Sequence, residues 1–316
     1  MAEAPAAGFR SPLRRHERRY FYKYMPASTA KIVLANRTRR WSSPVIFNDP
    51  FDNTQELRVN FTDAELQRTV NETLARLIET KTRPNENMEL AIALLLAAAA
   101  AGPDDKRREV ARQAREQVMP AISPAGMAAL RQVWREEVGR ARVFCVSELN
   151  DIAPMWNHYA DQYRGVVMEF EVIDELDPGL LLAQPIVYQD EPPAISSAQN
   201  WADSMLRVTG SKSYAQMIEE CQYIKSTAWA YEKEWRVVSR VRPGDRGDTG
   251  TYNDIPFRPR ELSAVFFGSK CGDQDRADIQ ALLVGDFAHA ATWRANENAV
   301  AGKFTFERFP RAGQAA

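Results

Sequence analysis

The segment Ala-Trp-Ala-Tyr-Glu-Lys-Glu-Trp-Arg-Val-Val, from Ala228 to Val238, holds the densest set of groups able to do chemistry. Its composition predicts a long strand over 229–241. Side chains alternate across a strand, so Glu232, Glu234 and Arg236 would share one face. Trp229, Tyr231, Lys233, Trp235 and Val237 would share the other. Two carboxylates two residues apart on a strand lie about 7 Å from each other. That is too wide for a shared-proton dyad, but it suits gripping one ligand at two points. If Trp235 and Val237 enter the core, the acidic face looks into solvent or a cleft. The plainer alternative is an exposed Arg–Glu face contributing about 0–1 kcal/mol.

A second set is Met155-Trp156-Asn157-His158-Tyr159-Ala160-Asp161. On a helix, Trp156 and Tyr159 lie three apart and Asn157 and Asp161 four apart. His158 is a candidate general acid–base, a ring that stacks on a ligand, or simply a hydrogen-bonded structural histidine. The other histidines, His16 and His289, stand far away in sequence, so no histidine-based metal site is expected. A third set is the loop Phe47-Asn48-Asp49-Pro50-Phe51-Asp52. It is either a rigid turn anchored by two phenylalanines or a loop that places Asn48 and Asp49 at a cleft.

The elements that must hold these groups can be read coarsely. Tyr20–Tyr24 reads as a strand, 27–38 as a helix, and Trp41–Phe47 as a short extended segment. Leu66, Val70, Leu74 and Leu77 recur at helical spacing, and 63–139 reads as a run of helices. Strands follow at 142–147, 165–172, 185–188, 262–267 and 303–309, with Tyr252–Ile255 as the hairpin partner of the 229–241 strand. Residues 199–226 and 273–283 read as helices. Strands broken by helices without regular βαβ alternation predict an α+β fold. Dinucleotide, P-loop and nucleophile-elbow glycine motifs are missing, which removes the main support for those classes.

Composition frames the rest. With 316 residues, 45% apolar and 26% charged, the chain is long enough for a sizeable core. A net charge of −1 gives no global pull toward nucleic acid or anionic membrane. Arg10, Arg14, Arg15, Arg18 and Arg19 crowd the first residues, and 1–18 reads as a disordered basic arm. Residues 19–310 read as a single α+β domain with a helical insertion at 62–140, followed by a flexible tail at 311–316. Cys145, Cys221 and Cys271 have no CxxC spacing, which argues against a disulfide framework or a zinc site and suits a reducing cytoplasm. No signal peptide or membrane span is expected.

Six segments taken in order carry a family resemblance. They are Tyr22-Lys23-Tyr24, then Ser42-Ser43-Pro44 with Phe47–Asp52, then Phe144–Glu148, then Met155–Asp161 with Gly165–Phe170, then Trp229–Val238, then Phe266–Ser269. Together they resemble a bacterial family known only as a domain of unknown function, often found in mobile-element and phage-defence neighbourhoods. The resemblance runs from about Tyr20 to about Gly268.

More distantly, the order of segments resembles the ADP-ribosyltransferase superfamily. That resemblance implies a mixed or antiparallel sheet core and NAD as substrate, in an enzyme or NAD-cleaving toxin with a nucleic-acid or protein acceptor. It implies catalytic roles for Glu234, Glu232 and His158. It implies NAD contacts from Tyr22, Tyr24, Ser147, Trp156, Tyr159, Arg236, Asn48 and Asp49, with Tyr24 or Trp156 stacking on nicotinamide and Ser147 bonding the ribose. Two other readings compete. In one, Asp49, Asp52, Glu232 and Glu234 hold Mg²⁺ for a nuclease or phosphodiesterase, provided the loop lies against the acidic strand. In the other, the aromatic loops form a non-enzymatic binding module.

Overall fold

The six residues Tyr20–Met25 form β1 and show why the sheet is buried on both faces. Phe21 and Met25 enter one apolar cluster, while Tyr22 and Tyr24 enter another on the opposite side. The computed structural model describes residues 9–53, 58–116, 124–176, 178–191, 193–241, 249–298 and 303–310. The remaining strands of the sheet are β2 (Thr38–Ser42), β3 (Ala141–Ser147), β4 (Val166–Glu171), β5 (Gln184–Pro185), β6 (Glu234–Arg240), β7 (Tyr252–Pro256), β8 (Leu262–Phe267), β9 (Ala291–Asn298) and β10 (Lys303–Arg308). Their order is β10-β9-β8-β4-β1-β3-β2-β7, with β6 lying along β3 and β5 on β6. β8 and β9 run parallel, and the other ladders are antiparallel. The fold is α+β, as its segment order predicts.

The first face is covered by the helices Ala27–Asn36 and Asp273–Leu282, which supply Ala30, Val33, Leu34 and Ile279 against Phe21, Met168, Phe170 and Phe267. Burying each of these large side chains contributes roughly 1.5–3 kcal/mol. The second face is covered by the helix Ala153–His158, whose Met155 and Trp156 pack with Tyr24, Val167 and Phe266.

One edge of β3 is fully paired with β6, from Ala141–Arg240 to Ser147–Glu234. The other edge is shared. β1 meets it at Tyr22–Ser147 and β2 meets it at Ser42–Val143. Between those pairs lies a notch at Cys145, where the Lys23 ammonium bonds the Cys145 carbonyl at 2.7 Å.

The chain divides into two compact units. One comprises Met1–Asp52, Val138–Asp190 and Lys225–Ala316, and it contains the whole sheet. The other comprises Asn53–Glu137 and Glu191–Ile224. The second unit thus takes in 191–224 beside the helical segment expected at 62–140. That unit is built around the helix Asp63–Glu79, started by a capping box in which Thr62 accepts from the Glu65 amide and Glu65 from the Thr62 amide. Leu66, Val70, Leu74 and Leu77 are buried along it. The single helix predicted over 199–226 is two, Ala198–Met205 and Tyr214–Cys221. Arg207 and Gly210, at φ of +52° and +80°, break it.

Residues 11–18 of the predicted basic arm are built into the sheet unit. Arg14 forks onto Asp174 at 2.7 Å and also donates to the carbonyls of Arg18 and Val172. His16 is buried against Phe21 and Trp235, with Nε2 2.8 Å from the Leu180 carbonyl. Residues 1–8 and the predicted tail at 311–316 lie outside the described residues. Among the described residues, no helix is long and apolar enough to cross a membrane.

Candidate active site

The predicted strand over 229–241 is two elements. Ser226 caps a 3-10 helix, Thr227–Glu232, through its Oγ on the Ala228 amide. Lys233 then adopts φ +47°, and β6 starts at Glu234. The predicted hairpin partner, β7, pairs with β2 instead. The left-handed residue replaces regular alternation with a turn that aims both glutamates at one cation. Lys225 Nζ donates to Glu232 Oε2 at 2.6 Å and to Glu234 Oε2 at 3.0 Å.

The acidic groups therefore form a buried ion network and not a solvated face. Arg236, fully buried, donates from Nε to Glu234 Oε1 at 2.7 Å and from Nη2 to Glu234 Oε2 at 3.1 Å. Its Nη1 reaches Asp52 Oδ1 at 2.9 Å, and Nη2 bonds Asp52 Oδ2. Its guanidinium lies over the Phe47 ring at 5.5 Å. Lys225 is 3.7 Å from Asp52 Oδ2. Three carboxylates against two cations, three minus two, leave one excess negative charge when all are ionised.

The two glutamates are not equivalent. Burial alone would raise Glu234, but Arg236 and Lys225 overcome it and hold that carboxyl well below the usual range. Glu232 goes the other way: burial, reinforced by Glu234, raises its proton affinity against the pull of Lys225. Burial would lower Lys225, yet Glu234 and Glu232 hold its ammonium above the ordinary range. Tyr159 donates its hydroxyl to Glu232 Oε1 at 2.6 Å, and Asn48 Nδ2 donates to the Tyr159 oxygen at 3.1 Å.

A cavity of about 290 Å³ opens at the notch in the sheet. Glu232, Glu234 and Asp52 stand on its wall with Tyr22, Tyr24, Ser147, Tyr159 and Asn48. Several predicted residues are thus brought together. Others are not. Trp156 is wholly buried between Tyr24 and Phe304, its Nε1 bonded to the Asn150 carbonyl at 2.8 Å, so it has no face for a ligand. His158 is exposed and does not line the cavity; its Nδ1 lies 3.3 Å from the Tyr231 hydroxyl. Asp49 is buried and caps the loop through the Phe51 amide at 2.9 Å. Arg236 lies behind Glu234 in the ion network. Ser147 lines the cavity, but its hydroxyl donates to the Glu232 carbonyl at 2.7 Å, which makes it an anchor for that residue's backbone.

The FNDPFD loop does lie against β6, through Asp52 on Arg236. Among the described residues, no group of three or more His, Cys, Asp and Glu side chains is arranged to hold a metal ion. Sequence reasoning missed Lys225, Lys23, Tyr188 and Cys145. Lys225 follows Ile224 in a two-residue strand with no flanking signal. Tyr188 accepts the Glu234 amide at 2.8 Å. Cys145 sits beside Glu234, and burial pushes its thiol upward.

Residues 155–237 match the model of a family described as a protein of unknown function, DUF2971. The match spans Tyr159, Lys225, Glu232, Glu234 and Arg236, the core of the network. No curated protein and no solved structure matches the chain.

Chemically, the arrangement offers one carboxylate with raised proton affinity, held at both oxygens and backed by a second carboxylate locked in its ionised form. It can take up a proton, and it can stabilise positive charge developing in front of it.

Proposed function

We propose that the cavity is the active site of an ADP-ribosyltransferase-like enzyme that cleaves NAD at the bond between nicotinamide and ribose. The observation that carries this reading is Glu232. It faces an aromatic-walled cavity, is fixed by Tyr159 and Lys225, and shares the Lys225 ammonium with Glu234 and Asp52.

In the reaction, the bond between ribose C1′ and nicotinamide N1 breaks. Its electron pair leaves with nicotinamide, and the ribose becomes oxocarbenium-like. An acceptor hydroxyl, amine or water then bonds to C1′ and loses a proton. A negative wall favours the cationic state over the neutral ribose, which lowers the barrier. Each oxygen of Glu232 accepts one hydrogen bond from the protein and keeps a lone pair for a ribose hydroxyl. Its raised proton affinity suits it to take the acceptor's proton. Glu234 is a positioning residue, because Arg236 and Lys225 occupy both its oxygens.

The test is chromatography of nicotinamide released from NAD, with water, lysate protein or nucleic acid as acceptor. The wild-type protein releases nicotinamide, and Glu232→Gln loses about 100-fold or more of the rate. Release that is absent from the wild type with every acceptor, or unaltered in Glu232→Gln, sinks the reading. A non-catalytic ligand-binding role is the second reading. It is favoured by the cations that neutralise Asp52 and Glu234.

A further inference from the structure

The cavity has a second wall that the reading above does not use. Lys23 lines it from β1, half-buried. Its ammonium makes one hydrogen bond, to the Cys145 carbonyl at 2.7 Å, and lies 5.4 Å from the Phe144 ring centre. No carboxylate among the described residues pairs with it. The nearby acids are spent elsewhere: Asp52, Glu232 and Glu234 on Lys225 and Arg236, and Asp254 on Arg40. A half-buried cation without a counter-ion is costly to hold, and such groups are ordinarily paired.

The sheet explains how Lys23 comes to be there. Past Tyr22–Ser147, β1 leaves the edge of β3, and Lys23 spans the gap that a regular ladder would close. An ammonium has three donors. One is used, which leaves two, and Lys23 lines the cavity.

We infer that Lys23 is the anion anchor of the cavity, and that its ligand carries a phosphate at this wall and a hydroxyl-rich or cationic group at the Glu232 wall. The cavity is then dipolar, with the Lys23 ammonium at the notch and the carboxylates of the ion network at the other wall. A phosphorylated sugar or nucleotide meets both ends. A neutral nucleoside or an inorganic phosphate meets only one. Ser42, at the β2 side of the notch, adds a hydroxyl donor on the same wall. This inference rests on the same cavity being the ligand site, but it does not need turnover.

The experiment is calorimetric titration of the full chain with ADP-ribose, and separately with adenosine and inorganic pyrophosphate. Wild type and Lys23→Met are compared, since methionine keeps the apolar stem and removes the charge. Lys23→Met weakens ADP-ribose and pyrophosphate about tenfold or more and leaves adenosine unchanged. Affinity that also falls with rising salt in the wild type alone supports the ionic contact. Equal ADP-ribose binding by both proteins, or no binding to the wild type, overturns the inference. Lys23→Arg guards against misfolding: it keeps the charge and retains binding. Lys23-dependent binding without nicotinamide release would leave this anchor standing while the catalytic reading fails.

Discussion

The Tyr159 hydroxyl donates to Glu232 across 2.6 Å, and this bond ties the helix face of the cavity to the acidic one. Burial and the Glu232 charge together push the Tyr159 hydroxyl well above the ordinary tyrosine range, so it stays a donor at any physiological pH. The bond also lowers the proton affinity that burial gives Glu232. In Tyr159→Phe that opposition disappears. We expect nicotinamide release to fall about tenfold, and the acidic limb of its pH profile to move upward. A rate loss with an unmoved profile would assign Tyr159 a packing role only.

Arg236 carries the largest structural consequence. It is fully buried and holds Asp52 and Glu234 at once, so its removal takes one of the two cations that those buried carboxylates share. Arg236→Met should cost about 3–5 kcal/mol in urea unfolding, because breaking a buried pair from one side leaves uncompensated charge. Asp52→Asn combined with Arg236→Met should cost less than the sum of the two changes. Additive losses would mean that the loop and β6 do not share this pair.

How far this site was legible in the sequence follows from what each residue type announces. Apolar runs mark β1, β4 and β8 because they are buried on both faces. β9, Ala-Thr-Trp-Arg-Ala-Asn-Glu-Asn, carries no such apolar run, and only Thr292 and Ala295 in it are buried. The ExE pattern singled out Glu232 and Glu234, which line one cavity, but a strand period cannot foresee a left-handed Lys233. Lys225 has no local signal at all. Its importance arises only where the chain returns to bring it between the two glutamates. The Asp52–Arg236 pair joins positions 184 residues apart, a distance no spacing rule covers.

The N-terminal segment has its own pH signature. Arg14, hydrogen-bonded to Asp174, holds that carboxyl down at about 2, helped by the Ser11 amide. A depressed folded value stabilises the protein above the unfolded value of 3.8, and the stabilisation is lost as pH falls toward about 2. Melting temperature should therefore drop between pH 4 and 2 in the wild type, and less steeply in Asp174→Asn. The same variant should expose residues 10–19 to trypsin, because Arg14 loses its partner. Identical acid limbs in the two proteins would remove Asp174 from the account.

Lys233 offers a test of how the two glutamates come to share one ammonium. Its side chain is exposed, so substitutions there change backbone preference with little change in packing. A non-glycine residue in the left-handed region costs roughly 1–2 kcal/mol, and a β-branched residue resists it most. Glycine has no such cost, but it loses about 0.5–1 kcal/mol through the greater freedom of its unfolded chain. Lys233→Gly should thus lie within about 1 kcal/mol of the wild type. Lys233→Val should be less stable by about 2 kcal/mol, because it favours an extended conformation that swings Glu232 away from Lys225. If position 233 sets the geometry, Lys233→Gly keeps nicotinamide release and Lys233→Val loses it, although both lack the ammonium. If both lose it alike, the Lys233 charge and not its backbone is what the site requires, and the exposed lysine would have to contact ligand directly.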